Sequence, residues 1–184
     1  MDGVVGVYMA IGGTGVCFIP PDWKGRMPAT KFIEINRESL AYGKKDALSL
    51  LDIRRKLKIA DSIVKFISNC DVDNIGSVAT ELVSYVQEGA SYIVDNAELA
   101  GIVKSQVLLQ CRRPVVPLSA MSARSFLVGD LKRSDQRLQV ESFVKDKNMK
   151  FETWAELRAF VVAYYWYCNI NNKGNMFLPQ KELF

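Results

Sequence analysis

The chain contains no histidine. That absence removes the general base of Ser-His-Asp and Cys-His catalysis and every histidine-containing zinc site. Cysteine is sparse: the four thiols Cys17, Cys70, Cys111 and Cys168 stand singly with no CxxC pair, and three of them lie in apolar runs. Buried, reduced thiols follow from that pattern, not a disulfide framework or a metal knuckle. No apolar run is long enough to cross a bilayer, and no charged-then-apolar leader opens the sequence. The expectation is a soluble intracellular protein, in the cytoplasm or an organelle matrix, with no membrane partner. Internal repeats are missing as well.

What remains is enough for one sizeable core. A length of 184 residues with 49% hydrophobic side chains suits a single domain. The formal charge of +4 and pI near 8.8 are mildly basic, compatible with nucleic acid without requiring it.

The apolar, valine-rich stretch Val4 to Met9 is bounded by Gly3 and Gly12-Gly13, so it reads as a strand. Thr14 to Pro20 makes a second strand, stopped by Pro20-Pro21, with Gly12-Gly13-Thr14-Gly15 closing the hairpin. Asp22 to Ala29 reads as a surface loop and Thr30 to Ile35 as a third strand. From Lys44 to Cys70, Leu48, Leu51, Ile53, Leu57, Ile59, Ile63, Phe66 and Ile67 recur at helical spacing as one apolar stripe. Arg54, Arg55, Lys56, Lys58 and Lys65 enrich the opposite face in positive charge, and a solvated face is their simplest reading.

After a turn at Asp71 to Gly76, Ser77 to Leu82 reads as a strand ending around Glu81, and Ser84 to Asp95 as a polar loop. Ala97 to Gln110 reads as a helix. Its internal Gly101 costs about 1 kcal/mol relative to alanine, which close approach of a neighbour would explain. Val115 to Leu118 is a short buried strand; Ser119 caps a helix to Phe126, closed by Gly129. Helices over 135–147 and 153–167 complete the pattern, followed by an irregular tail over 169–184. The domain is placed at 1–168. Strands first, then strands alternating with helices, indicate an α/β fold with a mixed sheet covered by helices.

Several motifs carry chemistry together. They are Gly6-x-Tyr8 with Thr14-Gly15, Val78-Ala79-Thr80-Glu81, and Ala97-Glu98-Leu99-Ala100-Gly101. They continue with Val116-Pro117-Leu118-Ser119, Arg124, Lys132-Arg133 and the segment Ala155 to Ala163. In this order the chain resembles the RuvC-like Holliday junction resolvases of the RNase H-like superfamily, over roughly Val4 to Tyr167. The resemblance implies an RNase H-like mixed sheet of about five strands flanked by helices. It also implies branched or duplex DNA as partner, a homodimer, and a nuclease centre in which acidic groups hold magnesium.

The acids of that centre are largely replaced. Glu81 matches the family's strand-end glutamate, but Tyr8 stands at the first aspartate and Arg158 at the last. Trp154 or Ala155 occupies the remaining acidic position. A guanidinium there can take the space of a metal and pair with Glu81. Glu156, two residues from Arg158, should point off that helix face. Arg112, Arg113, Arg124, Lys132, Arg133 and Arg137 suit phosphate contacts. The aromatic run Tyr164 to Tyr167 suits core or dimer packing better than base stacking.

Three functions compete on this sequence. The first is a RuvC-like protein that binds branched or duplex DNA without cutting it and uses no metal. The second is an active junction endonuclease in which Glu81 works with Glu98, Glu152 or Glu156 on Mg2+. The third is a structural module acting through a protein partner, with the aromatic helix from Phe160 to Tyr167 as its contact.

Overall fold

The structure, a computed structural model, describes residues 1–36, 48–70, 72–82, 90–129 and 136–177. Five strands form one mixed sheet in the order β3-β2-β1-β4-β5. β1 (Gly3–Tyr8), β2 (Thr14–Ile19) and β3 (Ala29–Ile33) run as an antiparallel meander. β4 (Ile75–Glu81) adds parallel to β1, and β5 (Val115–Leu118) parallel to β4. The parallel strands alternate with helices: α1 (Leu48–Asn69), α2 (Ala90–Gln106), α3 (Ala120–Val128), α4 (Gln136–Asp146) and α5 (Trp154–Ile170).

Side-chain alternation divides the core in two. Val5, Val7, Val16 and Val78 face α1 and α2, packing with Ile59, Ile63, Leu99 and Val103. Val4, Cys17, Ile19 and Ala79 face the other way, onto α5 with α3 and α4 outside it. Glycine sets how close α5 comes. A Cβ on Gly15 would lie 2.0 Å from the Ala155 carbonyl oxygen, and one on Gly6 only 2.1 Å from that of Ala159. Helix backbone therefore rests directly on strand backbone, and any side chain at either position would push α5 off the sheet.

Several expectations shift. The apolar stripe of α1 is only partly buried: Ile59, Ile63 and Ile67 are in the core, while Ile53 and Leu57 are 51% and 41% exposed. Periodicity locates an apolar face but does not say how wide a strip the neighbours cover. Lys56 belongs to no solvated face; its ammonium is buried between α1 and α2, 2.8 Å from Asp95 and 2.5 Å from Glu98. The loop placed at Ser84 to Asp95 gives way to helix from Ala90, because Tyr92-Ile93-Val94 continues α2 without a breaker. Residues 83–89 lie outside the described chain. A π-helical turn, Val107–Cys111, closes α2, and Arg112 leaves it in the left-handed region at φ 52°. Gly101 has nothing within 4 Å of an added Cβ, so no close approach explains it.

The segment Asp22 to Ala29 is not merely surface. Trp23 is buried and meets Phe160, Tyr164, Tyr167 and Phe177 edge-on, at ring separations of 5.7–6.2 Å. The aromatic helix is core for the same reason. Phe160, Tyr164 and Tyr167 are fully buried, leaving them unable to serve as an outward contact for a partner. α5 runs past position 168 to Ile170, and Asn175 returns to accept from the Tyr164 hydroxyl at 2.8 Å. Burial pushes that hydroxyl far above the ordinary phenol range. Among the described residues, no helix is long and apolar enough to cross a membrane.

Candidate functional site

The parallel pairing of β1 and β4 brings their C-terminal ends together. Val7 faces Thr80 across the ladder, so Tyr8 and Glu81, one residue further on each strand, emerge side by side on the α5 face. α5 begins above them. Thr153 caps it: the Thr153 hydroxyl accepts from the Glu156 amide at 3.2 Å, and the Glu156 carboxylate accepts from the Thr153 amide at 2.9 Å. Trp154 and Arg158, four residues apart, therefore share the face that looks down on Glu81.

Arg158 sits between the two strand ends. Its Nε donates to one Glu81 carboxylate oxygen at 2.9 Å and its NH2 group to the other, a two-pronged ion pair. The same guanidinium lies over the Tyr8 ring, 3.8 Å from its centroid. A second cation comes from α3. Ser119 caps that helix, accepting from the Ser122 amide at 3.3 Å, and Arg124 reaches back to Glu81 at 3.4 Å while also donating to Gln136 at 3.0 Å. Arg124 and Arg137 both lie over Trp154, 5.8 and 5.3 Å from the ring.

The centre is dry. The Glu81 side chain is 5% exposed, against 20% for Arg158 and 16% for Arg124. Burial pulls the Arg124 guanidinium below its usual pKa; the Glu81 charge opposes that shift and neighbouring Arg158 adds to it.

In overall fold, the chain is similar to Thermus thermophilus RuvC. One structure of that protein matches at TM-score 0.64 and 14% identity, over 94% of this chain and 98% of that one. Another, of the same protein in complex with a Holliday junction substrate, matches at TM-score 0.64 and 10% identity, over 95% and 99%. The yeast mitochondrial Holliday junction resolvase Ydc2 matches at TM-score 0.56 and 12% identity, over 89% and 77%. This is a RuvC-like fold. No protein-family model matches the sequence, and no curated protein sequence does. The expected five-stranded RNase H-like architecture is thus present.

Within the RuvC-like fold, the candidate residues separate. Tyr8, Glu81, Trp154, Arg158 and Arg124 converge, with Arg137 at the rim, 64% exposed and paired with Glu141. Arg112 and Arg113 do not join them. They precede β5, at the opposite end of the sheet from Glu81, since Val115 pairs with Val78 and Leu118 with Glu81. Lys132 and Arg133 lie outside the described residues.

Of the alternative carboxylates, Glu152 lines a cleft beside Trp154, between α4 and the segment leading into α5, and the other two are engaged elsewhere. Glu98 binds Lys56 on the far face of the sheet, and Glu156 is spent on the α5 cap. The cap was readable in advance as Thr153-x-x-Glu156, a capping-box spacing that removes Glu156 from any list of free carboxylates. Among the described residues, no group of three or more His, Cys, Asp or Glu lies together as a metal would need.

Magnesium requires several oxygen ligands in octahedral order, typically about 2.1 Å from the ion. Both Glu81 oxygens instead accept from guanidinium groups, and a dication beside Arg158 and Arg124 would meet two like charges. The described residues of this centre do not fit a divalent cation.

Proposed function

We propose that the chain binds branched or duplex DNA without cutting it. One observation carries this reading: Arg158 grips Glu81 through both carboxylate oxygens, at a centre where the resemblance calls for acids around metal. The other replacements support it, because Tyr8 covers the guanidinium and Arg124 adds a second positive charge. Arginine suits phosphate oxygens through its forked donors, and Arg124 and Arg137 gather such donors around Trp154. The solved RuvC relative is held on a Holliday junction substrate, a precedent in fold for that ligand class.

The protein acts as a homodimer in this reading. Leu50, Ile53 and Leu57, spaced three and four residues apart, give α1 an exposed apolar strip that a second copy would cover. Ile53→Asp should shift sedimentation to the monomer; a wild-type monomer would remove this part.

The deciding experiment incubates labelled four-way junctions and duplexes with the protein, with and without magnesium or manganese. Shifted complexes that weaken steeply with salt are expected, with the strands intact. Absence of binding at low salt would sink the DNA assignment. Metal-dependent cleavage abolished by Glu81→Gln would replace it with an active nuclease.

A further inference from the structure

A cleft of about 500 Å3 opens beside the Glu81 centre, between α4 and the segment leading into α5. That size falls within the range of small-molecule and cofactor sites. Trp154 and Phe151 line it, and Val144, Met149 and Leu157 give it an apolar base, each at most 4% exposed. Lys145 and Lys150 stand among its lining residues, as do the carboxylates Glu141, which Arg137 pairs, and Glu152. Trp154 belongs to both places: it carries Arg124 from the centre and lines the cleft.

We infer that this cleft receives one unstacked nucleotide of a DNA strand, its base on Trp154 and its phosphate near Lys145 and Lys150. An apolar recess with an aromatic wall suits a base, which any side chain with a flat face can stack. A lysine pair suits the phosphate of the same nucleotide. Arg137 now lies over the Trp154 ring and pairs with Glu141 at 2.7 Å, and an incoming base would take its place on the ring. A protein ligand would fit less well, because the recess is sized for a small group.

The inference rests on the DNA-binding reading and adds a preference: unpaired or branch-point nucleotides over continuous duplex. Its test uses 2-aminopurine at the branch point of a four-way junction, and the free 2-aminopurine deoxynucleotide monophosphate. Val144→Phe fills the cleft from its base without touching the Glu81 centre, and Trp154→Ala removes the stacking wall. On the wild-type chain, the branch-point fluorophore should be quenched. Val144→Phe should abolish that quenching and weaken junction binding about tenfold, the scale of a lost base stack, with duplex binding unchanged. Trp154→Ala should abolish it too.

Junction binding without quenching, or quenching that survives both variants, would overturn the cleft and leave the DNA reading standing. If neither junction nor duplex binds, the DNA reading fails and the free nucleotide decides the cleft. Saturable quenching lost in Val144→Phe would keep the cleft as a nucleotide site, and no quenching would remove it.

Discussion

Two buried ion clusters, one on each face of the sheet, have opposite charge arithmetic. On the α5 face one carboxylate, Glu81, is shared by Arg158 and Arg124. On the α1–α2 face one ammonium, Lys56, is shared by Asp95 and Glu98. The difference lies in where the surplus charge is kept. Asp95 and Glu98 are 32% and 57% exposed, so water screens their excess and the cluster is a strut between helices. The guanidiniums are far less exposed and stand at the strand ends, so their charge is held in a drier place where it acts on whatever approaches.

Breaking the two clusters should therefore cost different amounts. Arg158→Ala leaves Glu81 buried with one long contact from Arg124, and about 3–5 kcal/mol of stability should be lost in urea unfolding. Combining it with Glu81→Leu should recover part of that loss, because the stranded carboxylate goes too. Lys56→Met leaves two carboxylates that hydrate in place, and about 1–2 kcal/mol is the expected cost. Equal losses would mean that both are struts.

The pH dependence sharpens the same point. Burial lowers the Lys56 pKa, but hydrogen bonds and charge from Asp95 and Glu98 outweigh it and leave it raised. The folded protein therefore holds this proton more tightly than the unfolded chain. The stabilisation is complete below the unfolded value, about 10.4, and is lost as pH rises through the folded one. The stability gap between wild type and Lys56→Met should hold up to about pH 10 and narrow above it. The smallest effect concerns the thiols. Burial pushes Cys70 and Cys168 up to about 11 and Cys17 well above its ordinary value. A thiol reagent at pH 8 should modify the folded protein slowly, with half-buried Cys70 ahead of the others, and all four cysteines promptly in urea.

The strands and most helix ends were legible because local signals govern them: Pro20-Pro21, Ser119 and Gly129 mark ends that the structure keeps. Tyr8, Glu81 and Arg158 were legible as a group because family order stood in for the parallel pairing of β1 and β4. Lys56 was not, since a helical wheel shows that a residue is polar and not that a carboxylate waits across from it. Arg112 and Arg113 misled by proximity in sequence: β5 carries the chain the length of the sheet before Arg124 appears. Trp23 escaped notice because its neighbours are loop-forming, and only its burial reveals its role. The cleft was invisible for the same reason, as its walls come from α4 and a connecting segment with no shared period.

The seam at Gly6 and Gly15 has a consequence for how such a centre changes. Main chain meets main chain there, so the seating of α5 is set at two backbone contacts away from the side chains of positions 8, 81, 154 and 158. The fold works as a socket with exchangeable fittings: the side chains at these positions are carried on a mount set by backbone contact. Changes in chemistry at these strand ends therefore register as charge balance and stability, as for Arg158→Ala, while the backbone seam keeps α5 in place.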